Sequence, residues 1–110
     1  MKKEEMEKKI TELQLLEQGM QNFALQKQTF QAQLIEVENA LEELKSTKGQ
    51  TYKIVGNIMI ASDKEELNKD LKSKKELLDV RLKNIEKQEN NIKDKSKKLQ
   101  EEVMANLKKR

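Results

Sequence analysis

The fold is decided by the stretch Tyr52-Lys53-Ile54-Val55-Gly56-Asn57-Ile58-Met59-Ile60, where hydrophobicity alternates with period two and β-branched residues are dense. Gly56-Asn57 at its centre is a Gly-first dipeptide. Such a dipeptide between two short apolar runs predicts a β-hairpin with a turn of type II′ or I′. The strands are predicted at Tyr52–Val55 and Ile58–Ala61.

A two-residue loop fixes how the strands pair, because side chains alternate between the faces of a hairpin. Val55 then faces Ile58, Ile54 faces Met59, and Lys53 faces Ile60. Both faces are apolar. A lone hairpin of two strands is marginal in water and has open edges. We therefore infer that it finds its missing strands in other subunits. The alternative is that it folds back onto its own helices.

The composition favours long helices over a globular core. Of the 110 residues, 35% are hydrophobic, 3% are aromatic and 39% are charged, with no Pro and three Gly. The net charge of +3 is unevenly divided. Residues 1–45 hold six Lys and nine acidic residues, whereas residues 62–110 hold 15 basic and 11 acidic ones. The net charge is therefore −3 for residues 1–45 and +4 for residues 62–110. Net charges of opposite sign are typical of two helices that pack on each other.

Residues 1–48 are predicted to form the first helix of a coiled coil. Apolar residues recur at spacings of three and four, as at the a and d positions of the heptad abcdefg. They are Met6, Ile10, Leu13, Leu16, Met20, Phe23, Phe30, Leu34, Val37, Leu41 and Leu44. Lys27 is a polar a position. A three-residue slip of the heptad, a stammer, is predicted between Leu13 and Leu16. Gly49 is expected to cap the helix in the left-handed conformation.

Residues 63–108 are predicted to form the second helix, opened by a capping box at Ser62-Asp63-Lys64-Glu65. Two rows of residues follow at a spacing of seven. They are Leu71, Leu78, Ile85, Ile92 and Leu99, with Lys75, Leu82, Glu89, Ser96 and Val103 as companions. The predicted register places Leu41 opposite Leu71, Leu34 opposite Leu78, Phe30 opposite Leu82, Met20 opposite Ile92 and Leu13 opposite Leu99. The fold class is mainly α, a long antiparallel two-helix coiled coil within one domain, residues 1–110. Its single β-hairpin, residues 51–61, lies at the helix–helix connection.

The residue types argue against catalysis and membrane insertion. The chain has no His and no Cys, and it lacks the glycine-rich loops that hold phosphates. Its longest apolar run, Ile58–Ala61, is far too short to cross a membrane. Interspersed Lys and Glu are typical of a solvated helix face and argue against nucleic acid binding. We expect a cytoplasmic protein that is not an enzyme and needs no cofactor or metal.

Apolar residues near both chain termini should meet at the far end of the coiled coil. They are Met1, Met6, Ile10, Leu13, Val103, Met104 and Leu107. Met suits surfaces that accommodate varied partners, because its side chain is flexible and polarizable. These residues either form a binding tip or complete the seam between the helices.

Five segments carry a family resemblance. They are Gln26-Lys27-Gln28-Thr29, Ala40-Leu41-Glu42-Glu43-Leu44, the hairpin stretch 52–60, Lys64-Glu65-Glu66-Leu67 and Arg81-Leu82-Lys83-Asn84-Ile85-Glu86-Lys87-Gln88-Glu89. With these segments in the order helix, hairpin, helix, the chain resembles the β subunits of the archaeal prefoldin family over almost its whole length. The hairpin and the last segment are the specific parts, since heptads alone fit any coiled coil.

The resemblance implies an ATP-independent chaperone subunit, a holdase. Hairpins of two α-type and four β-type subunits would join into an intersubunit β-barrel, and a single hairpin is similar to the β type. The implied interface residues are Tyr52, Ile54, Val55, Gly56, Ile58, Met59 and Ile60. The tips would grasp non-native proteins and pass them to a group II chaperonin. The alternatives are a structural spacer that binds no clients and, less in keeping with the charge pattern, a nucleic-acid-binding second helix.

Overall fold

Two long helices flank a two-stranded antiparallel hairpin in the computed structural model, which describes residues 2–108. Helix α1 spans Lys3–Ser46 and helix α2 spans Lys64–Lys108. Strand β1 is Thr51–Val55 and strand β2 is Ile58–Ser62. The element order confirms the predicted helix–hairpin–helix fold. Each strand is one residue longer than predicted.

The chain divides into two compact units. The terminal unit comprises Met1–Gln28 and Lys83–Arg110, and the hairpin unit comprises Thr29–Leu82. Met1, one of the predicted tip residues, lies outside the described residues.

The hairpin pairs as predicted, with Val55 opposite Ile58 and Ile54 opposite Met59. Gly56 has a φ of +62°, whereas Asn57 does not have a positive φ. A type I′ turn needs positive φ at both central residues, and a type II′ turn needs it only at the first. The turn is therefore of the II′ kind, and Gly56 holds the one position that disfavours a Cβ atom.

The base of the hairpin is closed by a buried polar pair. Thr51 and Ser62 are opposite each other and both are 9% exposed. The hydroxyl of Thr51 donates a hydrogen bond of 2.5 Å to the carbonyl oxygen of Ser62. Ser62 thus belongs to β2, and the predicted capping box at this residue is wrong. Helix α2 begins at Lys64, and the carbonyl of the preceding residue, Asp63, accepts the first helical bond from the amide of Leu67 at 3.0 Å.

The glycine cap predicted at the end of α1 is wrong. Gly49 does not have a positive φ, and the helix ends before it, at Ser46. The hydroxyls of Ser46 and Thr47 donate to the carbonyl of Glu43 at 3.2 and 2.8 Å. The ammonium of Lys64 donates to the carbonyl of Thr47 at 2.9 Å. Side chains therefore satisfy carbonyls at this terminus, so no left-handed glycine is required.

The seam between the helices follows the heptad in both units. In the hairpin unit Val37, Leu44 and Leu78 are buried, and Leu78 is only 2% exposed. In the terminal unit Met6, Ile85 and Val103 are buried. The remaining predicted seam residues except Ile10 are at least half-buried.

The predicted stammer is wrong. Leu13 and Leu16 are both half-buried, and the next seam residue toward the N-terminus is Lys9 rather than Ile10. The heptad therefore continues without a slip, because seam residues follow at spacings of four and three residues at Lys9, Leu13 and Leu16. Leu13 then holds an a position. Lys9 can occupy a d position because its apolar stem lies along the seam while its ammonium pairs with Glu102.

Cross-helix contacts agree with the predicted antiparallel register. In the hairpin unit the guanidinium of Arg81 lies 5.6 Å from the ring centroid of Phe30. Phe30 is predicted to face Leu82, the residue that follows Arg81. In the terminal unit a Cβ placed on Gly19 would lie 3.5 Å from Cδ1 of Ile92, the residue predicted to face Met20. Each contact therefore lies within one residue of the pairing that the predicted register gives.

Candidate functional site: two exposed apolar surfaces

The hairpin carries a large apolar surface that this chain leaves uncovered. Six side chains, here called the hairpin surface, are between 42% and 71% exposed. They are Tyr52, Ile54, Val55, Ile58, Met59 and Ile60. Ile54, at 71%, is the most exposed of them. The structure thus does not follow the alternative in which the hairpin folds back onto its own helices.

Both faces of the hairpin contribute to this surface. Tyr52, Ile54 and Met59 lie on one face of the pleat, and Val55, Ile58 and Ile60 lie on the other. Such clustered exposed apolar groups mark interaction sites more often than isolated ones do. Together with unpaired strand edges, they suit the addition of further strands. Gly56, the remaining predicted interface residue, forms the turn.

The predicted tip residues fall into two groups. Met6 and Val103 are buried at 9% exposure and Leu13 is half-buried, so these three complete the seam. Ile10, Met104 and Leu107 are 42%, 53% and 51% exposed. We call these last three residues the tip surface. Three of the described residues therefore complete the seam, and the other three are exposed, as a binding tip would require.

Heptad positions explain the division. Met6, Leu13 and Val103 are a residues of the continuous heptad and face the partner helix. Ile10 and Leu107 are e residues and Met104 is a b residue. Because e and b positions are neighbours around a helix, and the e edges of antiparallel helices face one another, the tip surface lies on one flank of the terminal unit. We call this side the e flank.

Sequence reasoning missed a scattered set of exposed apolar residues on the outer faces of the helices. They are Leu15, Leu25, Ile35, Leu77 and Val80, each at least 50% exposed. All five occupy b, c or f positions. The continuous heptad is the signal that could have found them, since it assigns those positions to solvent.

The polar groups of the terminal unit also pair across the helices. The ammonium of Lys9 pairs with the carboxylate of Glu102, and that of Lys27 lies 3.4 Å from Oε1 of Glu89. Within residues 2–108, no cluster of three or more His, Cys, Asp or Glu is arranged to hold a metal ion. In the same part of the chain, neither helix has a stretch long and apolar enough to span a membrane.

Comparisons with known proteins place this architecture in one family. The prefoldin subunit family matches residues 2–110. The prefoldin β subunit of Archaeoglobus fulgidus is 34% identical over 96 residues, which cover 86% of this chain and 83% of the relative. The corresponding subunit of Pyrococcus abyssi is 37% identical over 100 residues, covering 89% and 86%.

A solved structure gives the same result for the fold. The crystal structure of the prefoldin β subunit from Thermococcus strain KS-1 superposes with a TM-score of 0.86 at 31% identity, and the match covers 94% of this chain and 92% of that one. The chain therefore belongs to the prefoldin subunit family, a family of chaperones, and it is similar to the archaeal β subunits of that family.

Proposed function

We propose that this chain is a holdase subunit, which binds non-native proteins without ATP and delivers them to a group II chaperonin in the cytoplasm. The observation that carries the proposal is the tip surface. Ile10, Met104 and Leu107 are exposed together on one flank of the terminal unit, in a member of a chaperone family.

Assembly through the hairpin surface forms the first part of the proposal. Prefoldin subunits form hetero-oligomers with one another, and hexamers are typical of the family. Partner hairpins from α-type subunits and from other copies of this chain would cover the side chains around Ile54 and Met59. Two α-type and four β-type subunits would close the strands into a barrel, which removes the open edges.

Capture by the tip surface forms the second part. Non-native proteins expose apolar side chains, and covering them stabilises the complex by about 25 cal/mol for each Å² removed from water. A surface of three side chains holds a client weakly. Several subunits in one assembly engage a client together and gain affinity through multivalency. Such binding is driven by the burial itself, so it needs no nucleotide.

The second candidate function is a structural spacer that assembles through the hairpin and binds no clients. The burial of Met6 and Val103 favours it, because the seam continues through residues that were candidates for the tip. The spacer shares the fold and the assembly with the holdase. It differs in one respect, since its terminal unit does not bind unfolded protein.

Light scattering distinguishes the two candidates. The intact assembly is purified from its own cells through a tag on this chain, and a denatured test protein is diluted into buffer with or without it, in the absence of ATP. The holdase proposal predicts suppressed aggregation at a near-equimolar ratio of assembly to test protein. Unchanged scattering would favour the spacer. Adding a group II chaperonin and ATP then tests delivery, as recovery of the folded test protein.

A further inference from the structure

A groove of about 510 Å³ opens between the helices on the e flank of the terminal unit. Leu13 and Met20 of α1 and Ser96 of α2 lie at a positions and contribute its inner wall. Ile10 lines the same groove, so the groove continues the tip surface. This volume is within the range of about 300 to 1,000 Å³ that is typical of ligand pockets.

The groove has a simple origin in the sequence. Ser96 occupies a seam position that Val103, one heptad later, fills with a larger apolar side chain. A serine there leaves space beside Leu13 and Met20 that the helices do not fill. The groove thus offers an apolar inner wall with one hydroxyl, next to the flexible thioether of Met20.

The outer edge of the groove is basic. Lys93 and Lys97 stand four residues apart on α2, so they lie on one face of that helix. Neither ammonium is in an ion pair with another described residue. Glu17 of α1 is the one acidic residue of the lining. Two positive charges against one negative charge favour an anionic partner.

We infer that this groove is a subsite for client segments in which a large apolar residue stands next to an acidic one. The apolar side chain would contact Leu13 and Met20, and the carboxylate would lie at Lys93 and Lys97. Phenylalanine suits the apolar part, because a thioether and an aromatic ring attract each other. The inference rests on the proposed function, since non-native polypeptide is the ligand that the tip surface would hold.

Three fluorescent peptides that differ only beside the phenylalanine test the preference. Their central segments are Glu-Phe-Glu, Gln-Phe-Gln and Lys-Phe-Lys, and anisotropy reports their binding to the intact assembly at low salt without ATP. Since exposed ion pairs contribute up to about 1 kcal/mol each, we expect the Glu peptide to bind about tenfold more tightly than the Lys peptide. The difference should shrink as salt screens the charges.

Variants of the two lysines give the matched control. The double variant Lys93→Gln/Lys97→Gln should lose the preference for the Glu peptide. The double variant Lys69→Gln/Lys72→Gln removes the same charge from exposed positions of α2 in the hairpin unit, and it should keep the preference. Ser96→Leu fills the groove. It should weaken binding of all three peptides while the melting temperature stays the same or rises, which separates loss of the groove from unfolding.

The outcomes separate this inference from the proposed function. Suppressed aggregation together with equal binding of the three peptides, unchanged in the Lys93→Gln/Lys97→Gln and Ser96→Leu variants, would overturn the groove and leave the holdase in place. An assembly that neither suppresses aggregation nor binds any peptide would overturn both. The preference for the Glu peptide, lost only when Lys93 and Lys97 are changed, supports the inference.

Discussion

The ammonium of Lys27 lies 3.4 Å from Oε1 of Glu89, with the two side chains 31% and 15% exposed, inside the seam of the terminal unit. Both residues hold a positions, where coiled coils ordinarily place apolar side chains. A polar pair in the seam costs stability relative to a hydrophobic one, and in some coiled coils it fixes register. This contact is possible only near the antiparallel register of this chain, so we interpret it as a register determinant.

Changes at this pair should affect stability in opposite directions. Glu89→Gln removes one charge and leaves Lys27 with only Glu86, at 4.0 Å; we expect it to lower the free energy of unfolding by about 1 kcal/mol. Lys27→Leu/Glu89→Leu replaces both charges with seam-filling side chains and should raise it by about 1 to 2 kcal/mol. Thermal unfolding of the intact assembly, followed by circular dichroism, measures both. A double variant no more stable than Glu89→Gln would contradict the expected cost of a polar pair in the seam.

Gly56 should be sensitive to a single added methyl group. Its φ of +62° is unfavourable for an L-residue with a Cβ, so Gly56→Ala should cost about 1 to 2 kcal/mol. Gly49→Ala is the control, because Gly49 lacks a positive φ and an added Cβ would meet no atom within 4 Å. Melting temperatures of the two variants test the difference. Equal losses at the two positions would argue against the type II′ turn.

The hairpin surface should be essential for assembly and dispensable for the helices. Ile54 is 71% exposed in the single chain, so Ile54→Glu should leave helix content unchanged while the oligomer dissociates. Val80→Glu is a matched control at a site that is 54% exposed on α2. Size-exclusion chromatography with multi-angle light scattering gives the mass of each. An Ile54→Glu assembly of unaltered mass would exclude this surface from the interface.

The tip surface should be needed for capture and not for assembly. The triple variant Ile10→Gln/Met104→Gln/Leu107→Gln replaces exposed apolar groups with a polar residue that favours helix. We expect the same mass and helix content, with roughly tenfold more assembly needed to suppress aggregation, equivalent to about 1.4 kcal/mol. The control is Leu15→Gln/Ile35→Gln/Leu77→Gln, which changes three exposed apolar residues elsewhere. Equal losses in the two variants would mean that capture depends on exposed apolar area in general.

Much of the fold could be predicted because its periodicities are strong. Leu71, Leu78, Ile85, Ile92 and Leu99 repeat every seven residues, and such a repeat fixes which face of a helix is buried. The pairing of Val55 with Ile58 followed from a two-residue loop, since the loop length sets the register of a hairpin. These features depend on spacing alone, so they can be read without side-chain detail.

The sequence did not predict which tip residues are buried and which are exposed, because this depends on whether a long polar side chain lies in the seam. An apolar residue was expected in the seam at Ile10, whereas the neighbouring Lys9 occupies it and pairs with Glu102. Lysine is ordinarily assigned to solvent, so hydrophobicity alone does not reveal such a placement. The end of α1 and the base of the hairpin depended likewise on hydroxyl bonds, made by Thr47 and Thr51 respectively.

Photo-crosslinking shows whether clients are captured at the tip surface. Intact assemblies carry a photoreactive phenylalanine analogue in place of Met104, or in place of Val80 as the control, since both sites are exposed at 53% and 54%. Each assembly is mixed with a labelled, denatured test protein without ATP and illuminated. Capture at the tip surface predicts crosslinked client from position 104 and little from position 80. Client crosslinked equally from both positions, or only from position 80, would contradict it.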